Sequence, residues 1–308
     1  GWTRHDRTSF YDSLSETQLL DRIDSWSPIV RERAAEALAR KTDPPIDALI
    51  EKLRADRLES RLGACQALTR LGGKAAPALP RLRETLDDDD LWLRVQAAEA
   101  IANMGEAGMP ALPDLLERLA TKDRTEEDPR AMEQRFLTFA VFGDMLKNHS
   151  LEAVNRDDLL KAIAAGLKND DGKARTAIGN VYDQVPFEDL KPLLPVIYQA
   201  IVEPAPSGYM FADGVRLAGL HLFADHKIMK AMPLCLELTE IHRWGKKGRV
   251  DSCLKALDKY GNAAKPLLPE ILKLEKELKA HREAESRLKD SINRIEKIIA
   301  RLQASTDQ

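Results

Sequence analysis

The chain has 308 residues, 44% hydrophobic and only 5% aromatic, with 47 basic against 50 acidic side chains. That is enough apolar material for a substantial core, and the modest glycine and proline content, 16 of each, excludes collagen-like and disordered chains. No run of about 18 apolar residues occurs, which excludes a helical membrane span, and a net charge of −3 argues against a surface built throughout for nucleic acid.

Residues 1–14 read as an N-terminal extension, and a first residue that is glycine instead of methionine reads as a processed product or a region of a longer polypeptide. The compartment is not legible. From residue 15 one unit recurs, marked by Arg31, Arg61, Arg94, Arg135, Arg175 and Arg216, each followed seven residues later by Leu38, Leu68, Ile101, Phe142, Tyr182 or Phe223. A seventh copy at Arg249 is one residue out of step. Small or apolar residues stand three and four places after each arginine, as in Ala34 and Ala35, Ala97 and Ala98, Thr138 and Phe139. Offsets of three, four and seven make one stripe on a helix, so each copy holds a helix with a single buried face. That register exposes Glu32, Glu36, Gln66, Gln96, Glu99 and Asn103.

The predicted helix pairs are 16–24 with 28–41, 44–54 with 58–71, 77–86 with 91–104 and 110–120 with 131–147. They continue as 156–168 with 172–184, 188–202 with 209–224 and 228–241 with 248–260. A phrase repeats at the corners: Gly72, Pro77, Leu79, Pro80; then Gly105, Pro110, Leu112, Pro113; then Gly261, Pro266, Leu268, Pro269. Glycine past the end of one helix and proline in the first turn of the next make each phrase a turn between helices. One pair cannot bury its stripe alone, so neighbouring pairs must stack. The expected fold is all-α, a right-handed α-solenoid of about seven helical hairpins over residues 15–264.

Residues 87–105, DDDDLWLRVQAAEAIANMG, resemble the second helix of a HEAT repeat, and residues 56–72 and 171–182 are similar. The resemblance implies a ladder linking successive repeats. It assigns rungs to Asp90 with Arg94 and Asp171 with Arg175, and less regular ones to Arg31, Arg61, Arg135 and Arg216. Residues 265–308 then carry a heptad seam: Leu267, Ile271, Leu274, Leu278, His281, Glu285, Leu288, Ile292, Ile295, Ile299 and Leu302. A single helix of about 35 residues would run roughly 50 Å. It either pairs with a second copy as a coiled coil or bends near His281 to Glu285 and caps the last repeat.

No catalytic constellation assembles from the sequence, and no metal or cofactor is expected. Cys65, Cys235 and Cys253 read as reduced core residues, with no CxxC spacing. His221, Asp225 and His226 form a dense set of candidate ligands, which needs a third group to hold a metal and otherwise reads as a solvated helix end. HEAT-like enzymes that hydroxylate a modified lysine use His-Glu dipeptides, and none of the six histidines here precedes glutamate. HEAT-like alkylpurine DNA glycosylases require a cationic concave face, which the mixed exposed residues do not supply.

The candidate contact edge is the side with the longer connections, near 122–130, 203–211 and 242–250. The segment HRWGKKGRV, 242–250, joins Arg243, Trp244, Lys246, Lys247 and Arg249, and Tyr209 and Phe211 are candidate aromatic anchors beside it, whereas Trp92 reads as core. The function expected is a noncatalytic scaffold for a protein or peptide. A nucleic-acid-binding or base-processing role for the basic loop 242–250 is the alternative.

Overall fold

A computed structural model describes residues 3–120 and 130–304. The loop expected near residue 122 falls at residues 121–129, outside the described part, as does the side chain of Tyr209. The chain divides into two compact units, Gly1–Asn169 and Asp170–Gln308.

The first unit contains α1 (Arg4–Asp12), α2 (Glu16–Ile23), α3 (Pro28–Ala39), α4 (Ile46–Lys52), α5 (Leu58–Leu71) and α6 (Leu79–Thr85). It continues with α7 (Leu91–Asn103), α8 (Leu112–Ala120), α9 (Arg130–Thr138), α10 (Leu146–Asn148) and α11 (Arg156–Leu167). Start signals are local: Thr3 and Asp6 cap α1 reciprocally, Ser15 and Gln18 do so for α2, and Asp90 accepts the Leu93 N–H at the head of α7. The expected extension is thus largely helical, and α1 packs on α3. Helices α2, α4, α6 and α8 lie against α3, α5, α7 and α9, which also pack side by side as a second layer. Ala34, Ala35, Ala64, Cys65, Ala97 and Ala98 are buried between those second helices, where small side chains let the axes approach. Gly63 shows how close: a Cβ there would lie 2.2 Å from the Ile23 carbonyl oxygen.

The repeated corners take a form the sequence did not predict. Gly72 and Gly105 have φ of 55° and 62° and open seven-residue 3-10 helices, Gly72–Ala78 and Gly105–Ala111, that contain the first proline. The α-helix begins at the following leucine, with the second proline in its first turn.

One register is corrected. After α9 the backbone widens into a π-helix, Phe139–Met145, and the buried stripe is Glu133, Leu137, Ala140, Val141 and Met145. Phe139 is 74% exposed and Arg135 is exposed, so neither occupies the slot expected from alignment on arginine. The inward face runs from Glu133, two residues before Arg135, and the π-helix carries it on through Ala140, Val141 and Met145.

The second unit holds α12 (Gly172–Gly179), α13 (Phe187–Leu190), α14 (Leu194–Val202), α15 (Ala212–Asp225), α16 (Leu234–Glu237), α17 (Lys246–Lys259), α18 (Leu268–Ala280) and α19 (Lys289–Ala304). The fifth expected pair is divided between the units: α11 packs on α8 in the first, α12 on α15 in the second. Within the second unit α15 also packs on α14 and α17, and α17 on α16.

Of the two C-terminal alternatives the bent one is found, the helix being interrupted near His281 to Glu285. It is α18 and α19, parted at 281–288, with α19 lying against both α18 and α17. The polar positions His281 and Glu285 offer the seam nothing to bury, and His281 leaves the helix with extended backbone, ψ 140°. Ile271, Leu274, Leu278, Leu288, Ile295, Ile299 and Leu302 are buried within the chain, as the folded-back alternative requires. Arg294 and Arg301 of α19 pair with Asp251 and Asp258 of α17. No helix among the described residues is long and apolar enough to cross a membrane.

Candidate protein-interaction site

The recurring arginines spend their donors on backbone carbonyls and on carboxylates of other hairpins. Arg31 donates to the carbonyls of Ser25 and Trp26 at 2.8 and 3.1 Å, and Arg61 pairs with Asp88. Arg94, 1% exposed, donates to the carbonyls of Asp88 and Asp89 and through Nε and Nη2 to Glu133, each contact 3.0 Å. Arg118 donates to the same carboxylate at 2.6 Å. Asp90 is therefore the cap of α7, and the rung it was expected to supply to Arg94 is made by Glu133. Asp171 likewise caps α12 by accepting the Lys173 N–H, while Arg175 donates to the Glu203 carbonyl. Arg216 is buried, donating to the Ile201 carbonyl and pairing with Glu240. Arg135 makes no ion pair among the described residues.

The basic loop is consumed largely from within. Arg249 is 2% exposed and donates to the carbonyls of Thr239, Trp244, Glu240 and Arg243 and to Asp213 Oδ2 at 3.0 Å. It belongs with the ladder arginines, and its expected place on a contact surface is corrected. Arg243 pairs with Asp213 and Glu240, and Lys246 reaches Glu283 at 3.0 Å. What faces solvent is Trp244, 59% exposed with the Arg243 guanidinium 5.7 Å from its ring, and Lys247. Phe211 and Met210 are exposed beside the turn at Gly208.

A more continuous surface runs along the second helices of the first unit. Three cavities succeed one another: one of about 370 Å³ between α1 and α3, one of about 260 Å³ over α3, α5 and α7, and one of about 260 Å³ between α7 and the α9 segment. Glu32 lines the first two and Glu99 the last two. The middle stretch carries the amides of Gln66 and Gln96 with Arg70, which pairs with Glu32 at 3.1 Å. The last has a floor of Val95, Ala98, Ala102 and Ala140 beneath Phe136 and Phe139. Sequence reasoning found the polar residues of this face and missed the two phenylalanines. The segment FLTFAVF holds more phenylalanine than one stripe can bury, and that signal could have found them.

A family model described as HEAT repeats matches residues 46–132. That stretch carries HEAT repeats. The crystal structure of an engineered protein is similar in fold, with a TM-score of 0.50 over 97% of this chain and 82% of that one, at 16% identity. A search of curated proteins returned no match.

Around these HEAT repeats, the remaining candidates for chemistry lie elsewhere and apart. Cys65, Cys235 and Cys253 are buried and unpaired in disulfides, and burial pushes all three thiols up, Cys253 to about 12, away from the thiolate a nucleophile needs. His221 meets Ser252 Oγ at 2.8 Å, Asp225 pairs with Lys259 at 2.6 Å, and the His226 ring stacks on Phe187. The three candidate ligands thus have separate partners, and among the described residues no group of His, Cys, Asp and Glu could hold a metal.

Proposed function

We propose that the protein is a noncatalytic helical-repeat scaffold that holds a segment of another protein along the second helices of its first unit. The carrying observation is the chain of cavities joined through Glu32 and Glu99 and ending at two exposed phenylalanines. A rigid, two-layer surface of this kind presents side chains at fixed spacing, and exposed aromatics beside small residues concentrate binding energy. Trp244 and Lys247 are the part of the basic loop that remains for a second contact.

The test is a photo-crosslinking amino acid placed at Gln96 and, separately, at Trp244 in the full chain inside its source cell. Discrete protein adducts from position 96 support the reading. Adducts from position 244 alone move the contact to the loop, nucleic acid in the adduct favours the alternative role, and no adduct from either defeats the scaffold reading.

A further inference from the structure

We propose that the groove between α7 and the α9 segment accepts an amphipathic protein segment in which a bulky apolar side chain is accompanied by lysine or arginine. This rests on the scaffold reading and names its occupant.

The floor is apolar and small: Val95, Ala98 and Ala102 on α7 and Ala140 across from them. Phe136 is 43% and Phe139 74% exposed, an aromatic surface that water covers at a cost when no partner is present. The Phe139 ring lies over Gly143, where a Cβ would sit 3.3 Å from it, so the absence of a side chain lets the ring rest against its own helix one turn on. A ring held this way loses little freedom when a ligand packs on it. The cavity of about 260 Å³ has room for a side chain the size of leucine or phenylalanine.

Charge selects the companion. Among the described residues the lining includes two carboxylates, Glu99 and Asp144, and no cationic residue. Glu99 accepts from Gln96 at 3.2 Å and Asp144 from Asn148 at 2.7 Å, each contact using one of the several lone pairs a carboxylate offers. Neither neighbour neutralises the charge. An acidic segment or an anionic membrane surface meets repulsion here, whereas a lysine or arginine beside the apolar anchor gains a charge-assisted contact at the edge of a desolvated patch. Asn103 adds an amide next to them, suited to a backbone group of the segment.

The experiment selects peptides from a random phage-displayed library on the full chain, then measures the winners as synthetic peptides by fluorescence anisotropy. The variants are Phe136→Ala with Phe139→Ala, and Glu99→Gln with Asp144→Asn; circular dichroism melting checks that they fold, as these side chains are largely outside the core. Support is enrichment of apolar-plus-basic sequences whose affinity falls on the order of 10–100-fold in the phenylalanine variant, and about 3–10-fold in the carboxylate variant with a flatter salt dependence. Winners that bind the phenylalanine variant as well as wild type overturn the site while leaving the scaffold reading intact. Winners that need the phenylalanines but are acidic or uncharged overturn the occupant. Light scattering that shows the groove filled by a second copy overturns it as well, and failure to enrich any peptide removes both proposals together.

Discussion

Glu133 on α9 and Arg94 on α7 meet through two parallel 3.0 Å contacts, and both side chains are 1% exposed. With Arg118 on the same carboxylate, two cations share one buried anion. Such a cluster contributes little net stability over an apolar replacement, but it is intolerant of losing its buried carboxylate.

Glu133→Gln therefore removes the buried anion that Arg94 and Arg118 share, leaving Arg118 the exposed Asp87 at 3.8 Å, and should cost about 3–5 kcal/mol. The measurement is the shift of the urea midpoint followed by circular dichroism. A loss under about 1 kcal/mol would show that water compensates the arginines.

The same logic separates two neighbours in the basic loop. Arg249→Ala removes the donors to four carbonyls and to Asp213 and should destabilise by about 3 kcal/mol or more. Lys247→Ala, at an exposed site, should stay within about 0.5 kcal/mol. Equal effects in chemical denaturation would contradict the assignment of Arg249 to the interior.

Gly63→Ala places a Cβ 2.2 Å from the Ile23 carbonyl oxygen and forces α5 away from α2. A helical Gly to Ala change ordinarily stabilises by up to about 1 kcal/mol; here a loss of about 1–3 kcal/mol is expected from overpacking. Thermal melts decide the sign.

Burial, reinforced by the Lys259 and Lys255 ammonium groups and opposed by Asp225 and Asp183, holds the His221 imidazole below its ordinary value. The unfolded chain then binds a proton near pH 6.5 while the folded chain does not. Its stabilising contribution is complete above about pH 6.5 and declines as the pH falls through that value toward the lower folded one. His221→Gln should flatten the stability profile between about pH 5 and 7, and an unchanged slope would assign the acid sensitivity elsewhere.

Removing residues after Ala280 strips α19 from α17 and α18 and bares the apolar faces that Ile295, Ile299 and Leu302 cover. Static light scattering should show more association in the truncated chain than in the intact one, with increased binding of a hydrophobic dye. The opposite order would mean that the C-terminal seam pairs chains.

The sequence was most legible where its periodicity was regular. In α3, α5 and α7 the small pair and the aliphatic seven residues after the arginine face inward, with Arg31 and Arg94 buried and Arg61 half-buried, because an unbroken 3.6-residue repeat keeps one stripe toward the neighbouring helix. Around α9 the inward stripe runs from Glu133, two residues before the aligned arginine, so Arg135 mimicked a rung while Glu133, an acid in an otherwise surface-like context, took the buried place. Arg94 stands at the recurring offset and Arg118 is buried on α8, and together they demand an anion. At the C-terminus no glycine or proline announces the break, which arises from a missing apolar reward at His281 and Glu285. Trp92, read as core, is 49% exposed, since its place beside the α7 cap lies off the inward stripe.

The corners at Gly72 and Gly105 carry further meaning for how such arrays change length. Each compresses a stop, a turn and a new start into one phrase, with the positive-φ glycine at its head and proline inside the turn and the helix that follows. A stretch of gene cut from one corner to the next is a cassette that arrives with its junctions already made. Duplication or loss of such a cassette alters reach without any redesign of the seam, so recombination can adjust the array in whole steps.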